Sequence, residues 1–593
     1  MNASRALAVN IANVRNNGVV HSGFLVGTTS AGDSGSATLV EVSLDGQTFQ
    51  AATGTGSWKF RLPAGANGWK DNSLHTVSVR ATDSSGVVAS TATLSVRKGV
   101  NQDVNGDGFA DVLVAAPTFD NSRGRVYLFY SAGNGSGIPS TADANNLDDA
   151  NVHVIGGEFD GPQLFGAATA MGDVNGDGFA DLIVGAPASL NGAGHLYVFY
   201  AIEVAPGSAL VVQGNATGTS TQLSGDTGRL LGLGTSVSAG DINGDGVADV
   251  VAGAPGTGNT PEGQVGRAYV FIARNDSTNV GIAAATVFGA DNTIVGDSAH
   301  TNLGIAVSMG DVNGDGFSDL VTGANFSNGA RGQVYVFHAS TDGTGIPSTI
   351  DDVSGVRATT VADANTHIIG EETSQIGTAL SVGDLNGDGF EDVVASGPTF
   401  GNNRGRVYVF YSAGETGVPT NPVIDENNTT AGQHVIGGAF FDNNQLFGKS
   451  TAIGDVNGDG SLDLVIGAPV AFLGGGRVYV FHTTLGTGLA QNQGNAINRT
   501  SQIDGDGQNG VKGAFGVAVA TGDVNGDGVM DVIAGAPGNN IVTGRAFVFH
   551  TSAINGNSIG GLPRGVDGVI RLSDANTTAV GGAGSFFGLS IAR

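Results

Sequence analysis

The string Asp-x-Asn-Gly-Asp-Gly-x-x-Asp begins at Asp103, Asp173, Asp241, Asp311, Asp384, Asp455 and Asp523, at intervals of 68 to 73 residues. A period of that length is one supersecondary unit repeated, so the repeat decides the architecture before any single segment does. Seven units fill residues 103–593.

Signals follow one order in each unit. An apolar residue and a Gly stand eight residues before the first Asp, led by Phe165, Leu233, Leu303, Ile376, Phe447 and Phe515 in units two to seven. A short apolar run enters the Asp loop and another leaves it, as in DLIVGAP from Asp181. A variable loop leads to a third run such as GRVYVF at 405–410, and a long polar connection leads to a fourth, as in HVIGG at 153–157. That order predicts about four strands per unit. In the third, Val407 and Val409 share one face while Tyr408 and Phe410 share the other, because side chains alternate along a strand. Both faces are apolar, so each small sheet must be covered on both sides. Seven sheets set radially satisfy this with only short edges exposed, which is a β-propeller.

Unit one lacks its opening strand, since Ser95 and Val96 occupy the place of the leading pair. The missing piece stands at the other end, where Phe587-Gly588-Leu589-Ser590-Ile591-Ala592-Arg593 matches the opening strand of the other units. Residues 587–593 are therefore expected to complete the first blade and close the ring. The expected fold is all-β, with a seven-bladed propeller of four-stranded blades over 99–593.

Residues 1–98 differ in character. Both Trp residues, Trp58 and Trp69, lie here, whereas all nine Tyr lie in the repeats. Alternating stretches such as ATLVEVSLDG and HTVSVRATD, set between Gly- and Ser-rich turns, predict a small antiparallel sandwich preceding the propeller. This part resembles bacterial immunoglobulin-like (Ig-like) domains, chiefly in VEVSLDGQTFQAATGTGSWKFRLP and HTVSVRATDSSGVVASTATLSV.

Charge narrows the partners. A formal net charge of −28, with only 25 Lys plus Arg, argues against binding nucleic acid or an anionic membrane. Cations are the natural partners. With no Cys there is no thiolate metal site and no Cys nucleophile. No apolar stretch reaches the roughly 18 residues that cross a bilayer, so no membrane insertion is expected. The amino terminus MNASRALAVNIANVRNNG lacks the basic and apolar regions of a signal peptide, which suggests a segment of a larger exported chain or assembly, or another kind of export signal.

The loops have their own chemistry. Oxygen donors at positions 1, 3, 5 and 9 converge only if the backbone turns sharply, which Gly at positions 4 and 6 permits. With the carbonyl at position 7 they supply at least five oxygens and no soft donor, a set suited to Ca²⁺. EF-hands and dockerin modules begin alike but require a carboxylate at position 12. That place is held here by Val114, Val184, Ala252, Thr322, Ala395, Ile466 and Ala534.

These units resemble the FG-GAP repeats of integrin α-subunit propellers and of related bacterial surface proteins, over about 490 of the 593 residues. The resemblance implies a calcium-holding loop between the first two strands of each blade, with about seven sites. By position, the side-chain ligands implied are Asp103, Asn105, Asp107 and Asp111 in blade one, and Asp173, Asn175, Asp177 and Asp181 in blade two. Blade three has Asp241, Asn243, Asp245 and Asp249, and blade four has Asp311, Asn313, Asp315 and Asp319. Blade five has Asp384, Asn386, Asp388 and Asp392, and blade six has Asp455, Asn457, Asp459 and Asp463. Blade seven has Asp523, Asn525, Asp527 and Asp531. The carbonyl ligands implied are those of Phe109, Phe179, Val247, Phe317, Phe390, Ser461 and Val529. Two departures stand out: all seven loops are intact here, and neither an inserted ligand-binding domain nor an Arg-Gly-Asp sequence is present. The loops hold 21 of the 53 acidic residues, and seven Ca²⁺ would bring the formal −28 to −14.

Catalysis finds little support. His338, His482 and His550 fill the repeat position that Tyr130, Tyr200 and Tyr411 fill elsewhere, which points to strand-end packing. Arg125, Arg267, Arg406, Arg477 and Arg545 recur at the start of the third strand, and no nucleophile motif accompanies them, so no enzymatic activity is expected. The loops after Gly-Ala-Pro vary and should lie on the face opposite the Asp loops, where recognition usually sits. Phe119, Phe326, Phe400 and Phe472 are the candidate ligand contacts there. The expected function is a calcium-binding extracellular adhesion or recognition module of a bacterial secreted or cell-surface protein, meeting a protein or glycan on a surface or matrix. The alternatives are a lectin, the non-catalytic propeller of a polysaccharide-degrading enzyme, and a structural spacer.

Overall fold

A computed structural model describes residues 6–592 apart from 15, 34, 349 and the stretches 64–68, 70–72, 132–136, 139–150, 158–160, 206–207, 212–213, 217–220, 257–264, 276–279, 298–300, 352–356, 420–432, 438–443, 472–473, 490–500, 506–512, 539–542, 552–569, 573–574 and 584–585. The repeats form seven antiparallel sheets in a ring. The second sheet is typical: Ala168–Gly172 lies innermost, followed by Asp181–Ala186, His195–Phe199 and Thr221–Ser224. The Asp loop is the hairpin between its first two strands.

Each blade is buried on both faces by its neighbours, as the third-strand pattern requires. Val407 and Val409 enter one core with Leu464 and Tyr479 of the next blade. Tyr408 and Phe410 enter another with Val334 and Val336 of the preceding blade. Seven such cores run around the ring, and the last joins blade seven to blade one through Val548, Tyr127 and Phe587. The sheet of blade one is closed by Ser590–Ile591, which pairs antiparallel with Val114 and Ala115.

Close backbone approach explains the glycines that flank each blade interface. A Cβ on Gly185 would sit 2.0 Å from the carbonyl oxygen of Gly234 in the next blade, so no side chain fits between these strands. Long connections add a device the repeat pattern did not announce. Gly214–Asn215, Arg357–Thr360 and Ile570–Arg571 each reach back as a parallel fifth strand on the outer edge of the preceding blade. They cover edges that would otherwise offer free amides and carbonyls.

Residues ahead of the repeats form two sheets, one ordered Ala8–Ile11, Phe24–Ser30, Ser57–Arg61 and the other centred on Ala37–Leu44 and Leu74–Asp83. They enclose one core containing Leu25, Trp58, Val40 and Val79. This unit rests on the Asp-loop face of the ring, where Asn13 Nδ2 donates to Gly108 O at 3.0 Å and Ser22 Oγ to Asp103 Oδ2 at 2.7 Å.

Candidate metal loops and their surroundings

All seven Asp loops share one local design. Position-4 glycines have φ from 70° to 72° and position-6 glycines from 79° to 97°, a region that L side chains resist. In blade one, Asp103 Oδ1 accepts the amides of Gly106 and Asp107 at 2.6 and 3.0 Å, while Oδ2 accepts that of Gly108 at 2.7 Å. Asn105 Oδ1 accepts the Asp107 amide at 2.8 Å, and Asp107 Oδ1 accepts the Phe109 amide at 3.0 Å. These bonds curl the chain so that the side-chain oxygens face inward.

Position 9 has a second task. Asp111 Oδ2 accepts the Val104 amide at 2.9 Å, and its Oδ1 accepts the amide of Ser131, just past the third strand, also at 2.9 Å. The other six blades repeat that outward bond to Ala201, Ala273, Ala339, Ser412, Thr483 and Thr551 at 2.7 to 2.9 Å. One carboxylate thus joins the loop to the strand beside it.

The loops also touch one another. The position-8 amides of Ala180, Ala248, Ser318 and Glu391 donate to the carbonyls of Asp103, Asp173, Asp241 and Asp311 in the preceding loops at 2.7 to 3.1 Å. Met530 bonds likewise to Asp455, and Ala110 to Asp523 across the closure. Nothing in the sequence announces these bonds, because they join main-chain atoms one blade apart. A second inter-loop contact leaves a clearer trace: a Cβ on Gly106, Gly314 or Gly526 would lie 1.8 to 2.4 Å from the ring of Phe179, Phe390 or Phe109 in the adjoining loop. In these three loops position 4 must therefore be Gly for space as well as for φ.

The electrostatics are costly without a cation. All seven position-9 aspartates are buried. Desolvation, with carboxylates of the same loop adding to it, pushes Asp319 and Asp392 up to about 8 and Asp111, Asp181, Asp249, Asp463 and Asp531 well above the usual range. Burial also raises Asp173 and Asp523 to about 7 and Asp311 to about 6. Among the described residues no three acidic or imidazole side chains suffice by themselves to hold an ion. An ion here would need the Asn oxygen and the position-7 carbonyl as well. That mixed, all-oxygen donor set fits Ca²⁺.

The amino-terminal unit leans on the loops of blades one and two. Lys59 Nζ donates to Gly106 O and stands 4.2 Å from the centre of the Phe24 ring. Arg61 donates to Asp177 O at 2.7 Å and lies over Phe179 at 5.0 Å.

The loops after Gly-Ala-Pro lie at the other end of the blades. Phe119 and Phe400 are half-buried, with the guanidinium groups of Arg125 and Arg406 at 3.9 and 3.8 Å from their ring centres. Phe326 is 48% exposed, and Phe472 lies outside the described residues. Buried Arg406 also pairs with Glu371, and Arg477 with Asp504 at 2.8 Å, a structural use of the recurring arginines. The phenolic oxygens of Tyr200 and Tyr411 accept the amides of Ile282 and Leu489 at 3.0 Å, while a Cβ on Gly137 or Gly417 would meet the rings of His550 or His338. The shared position packs strand ends against the following blade.

Comparison with known proteins agrees with this geometry. The FG-GAP repeat model matches residues 103–129, 165–199, 233–271, 303–337, 376–410, 447–481 and 515–549. Integrin alpha-4 of Xenopus laevis is 28% identical over 289 residues, 48% of this chain and 23% of that protein. Integrin alpha pat-2 of Caenorhabditis briggsae is 28% identical over 274 residues, 44% of this chain and 20% of that protein. The phosphatidylinositol-glycan-specific phospholipase D of Bos taurus is 34% identical over 162 residues, 26% of this chain and 18% of that protein. The chain thus spans about a fifth of the length of these curated relatives. Among the described residues no helix is long and apolar enough to cross a membrane.

Proposed function

We propose, from the premise that this chain carries seven FG-GAP repeats on an integrin-α-like propeller, that it is a calcium-stabilised recognition module of a bacterial secreted or surface protein. The observation that carries the calcium reading is the sevenfold loop geometry, in which buried carboxylates and an inward-bonded Asn oxygen recur, and a position-7 carbonyl would complete the set. Asp103, Asn105, Asp107, Phe109 and Asp111 would hold the first ion, and the matching residues of the other loops would hold six more. Each ion would offset the repulsion among three carboxylates and stiffen the hairpin at the base of its blade.

Recognition itself belongs to the far face, since the amino-terminal unit covers part of the loop face. We assign that unit, residues 1–98, to an Ig-like sandwich, and Phe326 is the most exposed of the candidate contacts. Elemental analysis of the dialysed protein tests the metal: about seven calcium ions per chain support the assignment, and a calcium-free folded protein overturns it. Adhesion of coated beads to cells or matrix, with and without chelator, tests the recognition role. The phospholipase D relatives favour a second reading, a non-catalytic propeller attached to an enzyme.

A further inference from the structure

Down the ring axis runs a cavity of about 630 Å³, walled by the innermost strands of all seven blades. Val19, His21, Leu74 and Arg97 of the amino-terminal unit line the end nearest the Asp loops. The cavity is therefore capped on that side, and its volume lies within the range of small-molecule pockets.

The other end begins where each innermost strand starts. Directly after the leading Gly stand Ala167, Thr235, Ile305, Thr378, Val517 and Leu589, small or uncharged in every case, but blade six has Lys449. Its side chain is exposed within the cavity wall, and its ammonium makes no hydrogen bond or ion pair among the described residues. The other charged residues on the wall are Arg97 and Lys98 against Asp384 and Glu391, a cationic excess in a chain with 53 acidic and 25 basic residues. Arg97 lies 4.0 Å from Asp384, and Lys98 donates to Gly99 O at 2.6 Å. Among the described residues Lys449 remains as the free positive charge at the mouth.

Hydroxyl groups on the innermost strands are committed to main-chain carbonyls. Thr235 donates to Gly232 O at 2.7 Å, Ser236 to Gly304 O at 2.8 Å and Ser450 to Gly516 O at 3.0 Å. Ser236 and Ser450 thus turn their hydroxyls into the blade interfaces, beside Gly253 and Gly467. A small ligand bearing one carboxylate would match this wall, its carboxylate on the ammonium.

We propose that the channel mouth binds a small carboxylate ligand, with Lys449 as the anchor. The test uses the full chain in calcium, with D-glucuronate as the probe and D-glucose as the uncharged control. Calorimetric titration should give one saturable site for glucuronate and none for glucose at equal concentration. Lys449→Gln should weaken binding about tenfold or more, as expected for loss of one charge-assisted hydrogen bond. Lys449→Arg should retain it. Ala167→Glu, which adds a carboxylate at the same level of the channel without touching Lys449, should also weaken it. Equal affinity of Lys449→Gln and the parent, equal binding of glucose, or no saturable glucuronate binding at millimolar concentration each overturns the proposal.

Discussion

The ring of Phe587 meets that of Tyr127 edge to face, with centroids 5.2 Å apart, although the two lie at opposite ends of the repeat array. In blade two Phe165 meets Tyr197 in the same way at 5.4 Å, within a continuous stretch of chain. The closure thus reuses the packing of an internal blade.

Phe587→Ala should destabilise the ring by about 3–5 kcal/mol, the usual loss for a buried Phe. Urea unfolding followed by tryptophan and tyrosine signals measures it, and a loss below about 1 kcal/mol would mean that the closing strand contributes little.

Removing calcium should lower the melting temperature markedly. A site filled at ten times its dissociation constant adds about 1.4 kcal/mol, and the seven proposed sites would act together. An unchanged melt in excess chelator, with metal loss confirmed, would falsify the stabilising role. Asp181→Asn should lower metal content by one ion and lower the melt in calcium, since the same carboxylate also holds the amides of Val174 and Ala201.

Gly526→Ala should be costly for two separable reasons, a φ of 70° and a Cβ only 1.8 Å from the Phe109 ring. The combined penalty should be about 2–4 kcal/mol. In a Phe109→Val background the steric part should vanish while the φ part stays. A double-mutant cycle by chemical denaturation reads the difference, and strict additivity would rule out the contact.

How much of this was legible beforehand depends on what kind of atom makes each contact. The blades, their two-sided burial and the loop design were readable, because side-chain identity repeats with the period; GRVYVF alone predicts which residues face each neighbour. The bonds from Ala180 to Asp103 and onward around the ring were not, since main-chain amides and carbonyls leave no residue signature. The seat of Phe119 on Arg125 had a faint one: blade five repeats the pair as Phe400 and Arg406 at the same spacing. Lys449 was visible as the lone charge in its column of the repeat, but only the channel gives that charge a meaning.

A pH response should come from His21, whose Nδ1 donates to Val100 O at 3.1 Å and whose ring lies against Gly99. Burial first, then the nearby Lys98 ammonium, lower its pKa from 6.5 to about 4. The unfolded chain therefore takes up a proton near pH 6.5 that the folded chain refuses until about 4. Stability from this group is complete above pH 6.5 and falls as pH drops toward 4, by on the order of 2 kcal/mol for a partly accessible ring. Since acidic loops titrate too, the check is the difference between parent and His21→Gln. Parallel stability profiles for the two across that window would remove His21 as the source.

The bonds that join neighbouring Asp loops, six of them among the described residues, make a hoop at the base of the molecule, and the Ser590–Ile591 strand is the buckle of the ring it belongs to. A hoop carries tension along its circumference. Force applied to one blade is thereby shared with those beside it, and the ring is expected to give way first at the buckle, where the chain is not continuous.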